Sequence, residues 1–154
     1  MMPFLSDQDK RTLQTRFKTD LKNDVTLKLF TVRSAGLLVV PGRECPTCPQ
    51  VNELVNEIAS LSPRIKVETY DFYTQAQQAR DHGVDRVPCI VLSTAGHPAS
   101  NMKLYGTPSG YEFMTLLEGM VALSRNVNPL QPLTRKALKR LDKPAHVQVF
   151  VTPT

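Results

Sequence analysis

The chain has 154 residues, of which 41% are hydrophobic, with a formal net charge of +5 and three cysteines. That length suits one ordinary domain with chain to spare, and no apolar run reaches the roughly 20 residues that a bilayer-spanning helix needs. The opening MMPFLSDQDK lacks the charged start and apolar core of a secretion signal, so a cytoplasmic location is expected, with cysteines used for catalysis or metal binding rather than as a disulfide framework.

Ser6 followed by Asp9 fits a helix-capping box, with acidic residues well placed at a helix start. Leu13, Phe17 and Leu21 then mark a helix with one narrow apolar stripe, ended by Asn23-Asp24. Residues 25–32 are rich in β-branched and apolar side chains and predict a largely buried strand. The stretch 33–44 is broken by Gly36 and Pro41-Gly42 around an apolar core, and it fits a strand extension, a short hairpin or a loop lying over the cysteines beyond it.

Next in the chain stands Cys45-Pro46-Thr47-Cys48. Behind it runs the clearest helix, with Val51, Leu54, Val55, Ile58 and Leu61 on one face, closed by Ser62-Pro63. Ile65, Val67 and Thr69 alternate as a strand, and Thr74 is placed to cap a short helix that Gly83 stops. Residues 87–92 are an apolar run containing Pro88, which fits a strand only if the proline opens it, with a cis bond as one means. Gly96 and Pro98 make a turn, residues 102–105 a short strand, and Phe113, Leu116, Leu117 and Met120 a second amphipathic helix fading at Asn126.

This order predicts an α/β fold whose first domain spans residues 1–124, with a linker at 125–133. Beyond the linker, Leu133, Ala137, Leu138 and Leu141 predict a helix capped by Thr134, and Val147, Val149 and Val151 alternate as a strand. This piece is too short to bury a core of its own. Its basic cluster of Arg135, Lys136, Lys139, Arg140 and Lys143 has no aromatic platform beside it and reads as a solvated helix face. Neither nucleic acid nor membrane is expected as a partner.

Two cysteines spaced by two residues ahead of a helix can close a small disulfide or form half a zinc site. The further ligands would have to come from Cys89, His82, His97 or His146, none paired at short spacing, so no metal is expected. For redox use, a thiolate must attack, and Cys45 at the mouth of the helix would face unpaired N–H groups and the positive end of the dipole. Pro46 suits a first helical turn, and Cys48, about one turn further in, is placed to resolve a mixed disulfide formed on Cys45. Glu44 beside Cys45 would raise that thiol's pKa by its charge, or simply point to water. Cys89 reads first as a small core residue and second as a third redox thiol.

The order of strand, CxxC, helix and then Val-Pro ahead of a hairpin and final helix resembles the thioredoxin fold, a mixed central sheet flanked by helices. More narrowly, HGVDRVPCIVL, YGTPSGYEFMTLLEGM and LDKPAHVQVFVTPT look like the tandem glutaredoxin-like protein disulfide oxidoreductases. The N-terminal region of the alkyl hydroperoxide reductase flavoprotein is a related tandem. The resemblance implies Cys45 as nucleophile, Cys48 as resolving thiol and Pro88 as the cis-proline. It further implies that Val87 offers its backbone to an extended substrate, with Gly106 on the rim of the same groove. Residues 134–154 would then be the opening helix and strand of a second unit cut off before its CxxC. An orphan strand of that kind packs back on its own domain or exchanges between two chains as a homodimer.

The expected function is thiol–disulfide exchange with protein disulfide or dithiol substrates, without a cofactor, fed by an upstream thiol reductase. The alternative is a non-catalytic docking unit of a tandem redox protein. A glutathione-dependent enzyme lacks an assignable cationic pair. The direction of the reaction depends on a potential that the sequence does not give.

Overall fold

The computed structural model describes residues 4–33, 41–97, 102–128 and 130–152. The choice among strand, hairpin and loop for residues 34–40, and the turn role of Pro98, lie outside the described residues. Helix α1 (Asp7–Asp20) opens on the expected capping box: Ser6 Oγ accepts from the Asp9 N–H, and the Asp9 carboxylate accepts from the Ser6 N–H. Strand β1 (Val25–Thr31) comes next, then α2 (Cys48–Ser60), β2 (Ile65–Asp71), α3 (Ala76–Asp81), β3 (Cys89–Ser93), β4 (Lys103–Tyr105) and α4 (Tyr111–Arg125).

The sheet has the order β2-β1-β3-β4, with β1 and β2 parallel and the other two pairings antiparallel. This is the mixed sheet with flanking helices of the thioredoxin-like fold. Strands β1 and β3 lie in its middle; β3 is buried on both faces and so reads as an apolar run, whereas β1 alternates buried Val25, Leu27 and Leu29 with half-buried Thr26 and Lys28. Val25, Leu27 and Leu29 of β1, with Ile90 and Leu92 of β3, face a large core completed by α1, α2 and α4. Phe30, Cys89 and Val91 face the other way, into a smaller cluster under α3 with Ala79 and Val84.

The ends of α1 and α4 are joined by a buried hydroxyl. Ser124 Oγ accepts from the N–H groups of Lys22 (2.9 Å) and Asn23 (3.0 Å) and donates to the Asn23 carbonyl (2.6 Å). Ser124 is fully buried and continues the stripe of Leu116 and Met120 by one more turn. Asn126 then ends α4 with a left-handed backbone, φ 53°.

Three local expectations differ. Thr74 does not cap α3; its hydroxyl donates to Asp71, and the helix starts later, at Ala76 behind Gln75. Thr134 lies inside helix α5 (Pro132–Leu138) rather than at its cap, because Pro132 already supplies a first-turn residue with no N–H to satisfy. Residues 147–151 form no strand. Val147, Val149 and Phe150 stand about four-fifths exposed, since alternation without a neighbouring strand supplies no ladder.

Candidate active site

Cys45 and Cys48 are joined in a disulfide, with Cα atoms 5.3 Å apart. Cys45 is half-buried and Cys48 fully buried. The helix begins later than Cys45. Residues 46 and 47 form a turn, Cys48 is the first helical residue, and the Cys48 N–H donates to the Cys45 carbonyl at 3.2 Å. Pro49, not Pro46, therefore occupies the first turn, where its missing N–H has no intrahelical partner to lose. The buried sulfur is met from β1: the Val32 N–H donates to Cys48 Sγ at 3.5 Å.

Opposite the disulfide end of β1, the Val87–Pro88 peptide bond is cis, and Pro88 immediately precedes β3. A proline there removes no ladder bond, because the strand pairs with β1 only from Cys89 onward. The Pro88 carbonyl accepts from the Gly106 N–H at 3.0 Å, and Gly106 has φ 84°, a backbone that a side chain would strain. Among the described residues, the Val87 N–H and carbonyl make no backbone hydrogen bond.

Cys89 is a core residue. It is fully buried beside Phe30 and Val91, and burial pushes its thiol up to about 12, outweighing the help of Lys103 and Tyr105. Tyr105, its cross-strand partner, is pushed up to about 12 in turn, first by burial and then by Cys89 and Asp85. Glu44 is exposed, and its carboxylate makes no hydrogen bond or ion pair among the described residues. His82 packs against Phe30 and Tyr70 with its Nε2 3.0 Å from Lys28 Nζ, while His97 Nε2 lies 2.8 Å from Asn126 Oδ1; neither adjoins the cysteines in these contacts.

Three residues near the site carried no signal in the sequence. Asp71, at the end of β2, accepts through Oδ1 from the Tyr73 N–H, the Thr74 N–H and the Thr74 hydroxyl, and through Oδ2 from the Arg33 N–H. Burial works to raise this carboxyl, but the donors prevail and hold it below the usual aspartate value. Tyr73, two residues on, carries the guanidinium of Arg43 over its ring, 4.6 Å from the centroid. Across the site Arg86 lies over Tyr105 at 5.2 Å.

A sheet of this order, with a CxxC disulfide at the start of the helix after β1 and a cis-proline just ahead of β3, defines a thioredoxin-like domain. The thioredoxin domain family matches residues 37–118, and the chain belongs to that family. Among solved structures, the N-terminal domain of alkylhydroperoxide reductase AhpF from Enterococcus faecalis is similar, with 24% identity and a TM-score of 0.75 over 91% of this chain and 62% of that one. A protein disulfide oxidoreductase from Aeropyrum pernix gives 24% identity and a TM-score of 0.72, covering 91% of this chain and 56% of the other. The chain thus spans about three fifths of the length of these neighbours, and the likeness is one of fold. No curated protein matches the sequence.

Proposed function

We propose that the protein is a thiol–disulfide oxidoreductase acting on protein substrates through Cys45 and Cys48. The observation that carries this reading is the disulfide itself: a half-buried sulfur in front and a fully buried one behind, at the start of a helix. In the reducing direction, the Cys45 thiolate attacks one sulfur of a client disulfide and expels the other as a thiolate, which takes a proton from solvent. Cys48, deprotonated to solvent, then attacks Cys45 Sγ and releases the client's second thiolate. The client gains two electrons and two protons, and Cys45 and Cys48 return to the disulfide seen here.

The orphan N–H groups at the start of α2 favour the thiolate on the outer sulfur. The Val32 N–H does the same for the inner one. The Val87 backbone, unpaired among the described residues, would bond an extended client segment, with Gly106 bounding the groove beside it. An upstream thiol reductase would regenerate the dithiol. Residues up to Asn126 would carry the chemistry in the cytoplasm, and the exposed valines of 147–151 would belong to a second unit or exchange with another copy.

The test is reduction of a peptide disulfide by the pre-reduced protein. Cys45→Ser abolishes it, and Cys48→Ser accumulates the mixed disulfide on Cys45. Undiminished reduction by the Cys45→Ser variant would overturn the proposal. A Cys45 that resists alkylation at neutral pH in the reduced protein would favour the docking role instead.

A further inference from the structure

The two arginines at the disulfide end of the sheet differ in a way that bears on which clients fit. Both lie over tyrosine rings: Arg43 on Tyr73 beyond the end of β2, and Arg86 on Tyr105 at the end of β4. In the strand order β1, which leads to the disulfide, and β3 stand between β2 and β4, the strands that carry the two ring-stacked arginines' tyrosines at or just past their ends. Arg86 already has its anion. Its Nε and a terminal nitrogen bond the two oxygens of Asp85 at 3.0 and 3.1 Å.

Arg43 has none. Among the described residues no carboxylate forms an ion pair or hydrogen bond with it, although acidic groups stand at the end of β2, next to it in the chain and on the first turn of α4. Asp71 is buried and occupied by its donors from Arg33, Tyr73 and Thr74. Glu44, the next residue in the chain, makes no ion pair with it, and Glu112 on the first turn of α4 is half-buried and raised by that burial. Arg33, another cation just past the end of β1, directs a terminal nitrogen to the Thr69 carbonyl at 3.2 Å. An arginine resting on an aromatic face is pre-ordered and keeps its N–H edge available, so it loses less entropy on meeting a carboxylate than a free side chain would.

We propose that Arg43, presented on Tyr73 two residues ahead of the attacking cysteine, selects clients carrying an acidic side chain on the β2 side of their disulfide. This rests on the redox reading above and names the substrate class for it. The opposite arm of the groove, where Asp85 saturates Arg86, carries no such preference.

The experiment uses three disulfide-linked peptide dimers that differ only in having Glu, Gln or Lys flanking the cysteine, plus bis(2-hydroxyethyl) disulfide as a small neutral substrate. The pre-reduced protein is mixed with each, quenched in acid, and thiol separated from disulfide. The Glu peptide is expected to react about fivefold faster than the Lys peptide, the scale of one exposed ion pair. In about 1 M salt, where the screening length falls to about 3 Å, the ratio approaches one. Arg43→Gln levels the three peptides, and Arg43→Glu inverts their order. Tyr73→Leu weakens the preference, whereas Tyr73→Phe, which keeps the ring face, retains it. Equal rates for the three peptides with the unaltered protein would overturn the proposal. So would an Arg43→Glu variant that slows all three peptides and the neutral disulfide by one common factor, since that marks a structural role. No reduction of any of the four disulfides would instead refute the redox reading beneath it.

Discussion

Replacing Asp71 with Asn removes a charge from a carboxylate whose oxygens are fully engaged. Three donors converge on Oδ1 at 2.8 to 3.1 Å, and the Arg33 N–H reaches Oδ2 at 2.9 Å. Asn keeps one acceptor oxygen but turns an NH₂ toward the Arg33 N–H, leaving that donor unpaired at about 1 to 3 kcal/mol. The three retained bonds pass from charge-assisted to neutral, a loss of roughly 1 kcal/mol in all once their non-additivity is allowed for. A destabilisation of about 2 to 4 kcal/mol results, or roughly 5 to 12 °C in Tm for a chain of this size. The pH dependence supplies a sharper check. Because the folded-state value lies below the ordinary one, the stabilisation is present above the unfolded carboxyl's pKa, near 3.8, and disappears as pH falls through the folded value. Urea unfolding of the two proteins should therefore show the full difference at pH 7, shrinking progressively below about pH 4. A gap under about 0.5 kcal/mol at pH 7, or one that persists unchanged into strong acid, would refute the assignment of these bonds.

Ser124→Ala deletes a hydroxyl that serves three backbone groups in a fully buried position, and should lower stability by about 2 to 4 kcal/mol in denaturant titration, far more than a surface serine would. Ser124→Thr, which retains the hydroxyl, tells the lost bonds from a general packing defect. Cys89, with its thiol pushed up to about 12, should stay unmodified when the native, reduced protein meets iodoacetamide at pH 8, while Cys45 is labelled within the same time. Mass spectrometry of the digested product reads both, and early labelling of Cys89 would contradict its place in the core.

The fold was legible because burial on both faces leaves a signature in composition, as in β3, and burial on one face leaves a signature in spacing, as in Val51, Leu54, Val55 and Ile58 of α2. The disulfide was legible because closing so small a ring demands a fixed spacing of its cysteines. Asp71, Tyr73 and Arg43 were not, since their roles depend on partners brought together only by the parallel pairing of β1 and β2: Asp71 meets a backbone N–H 38 residues away. Ser124 could have been found, for it stands four residues beyond Met120 on the stripe that α4 buries. Polarity hid it. Residues 147–151 fail in the opposite sense, as alternation names a surface that a sheet can use but does not provide the sheet.

The hydroxyl of Ser124 also settles the geography of the molecule. It binds the last turn of α4 to the link between α1 and β1, and so fixes both at the end of the sheet where β1 begins, whereas Cys48 meets β1 just past where it finishes. The seven residues of β1 between them span about 20 Å. Everything joined to the chain after Asn126 thus sets out from the pole remote from the thiols. Cargo, tag or further domain attached there must double back along the length of the sheet before it can touch Cys45.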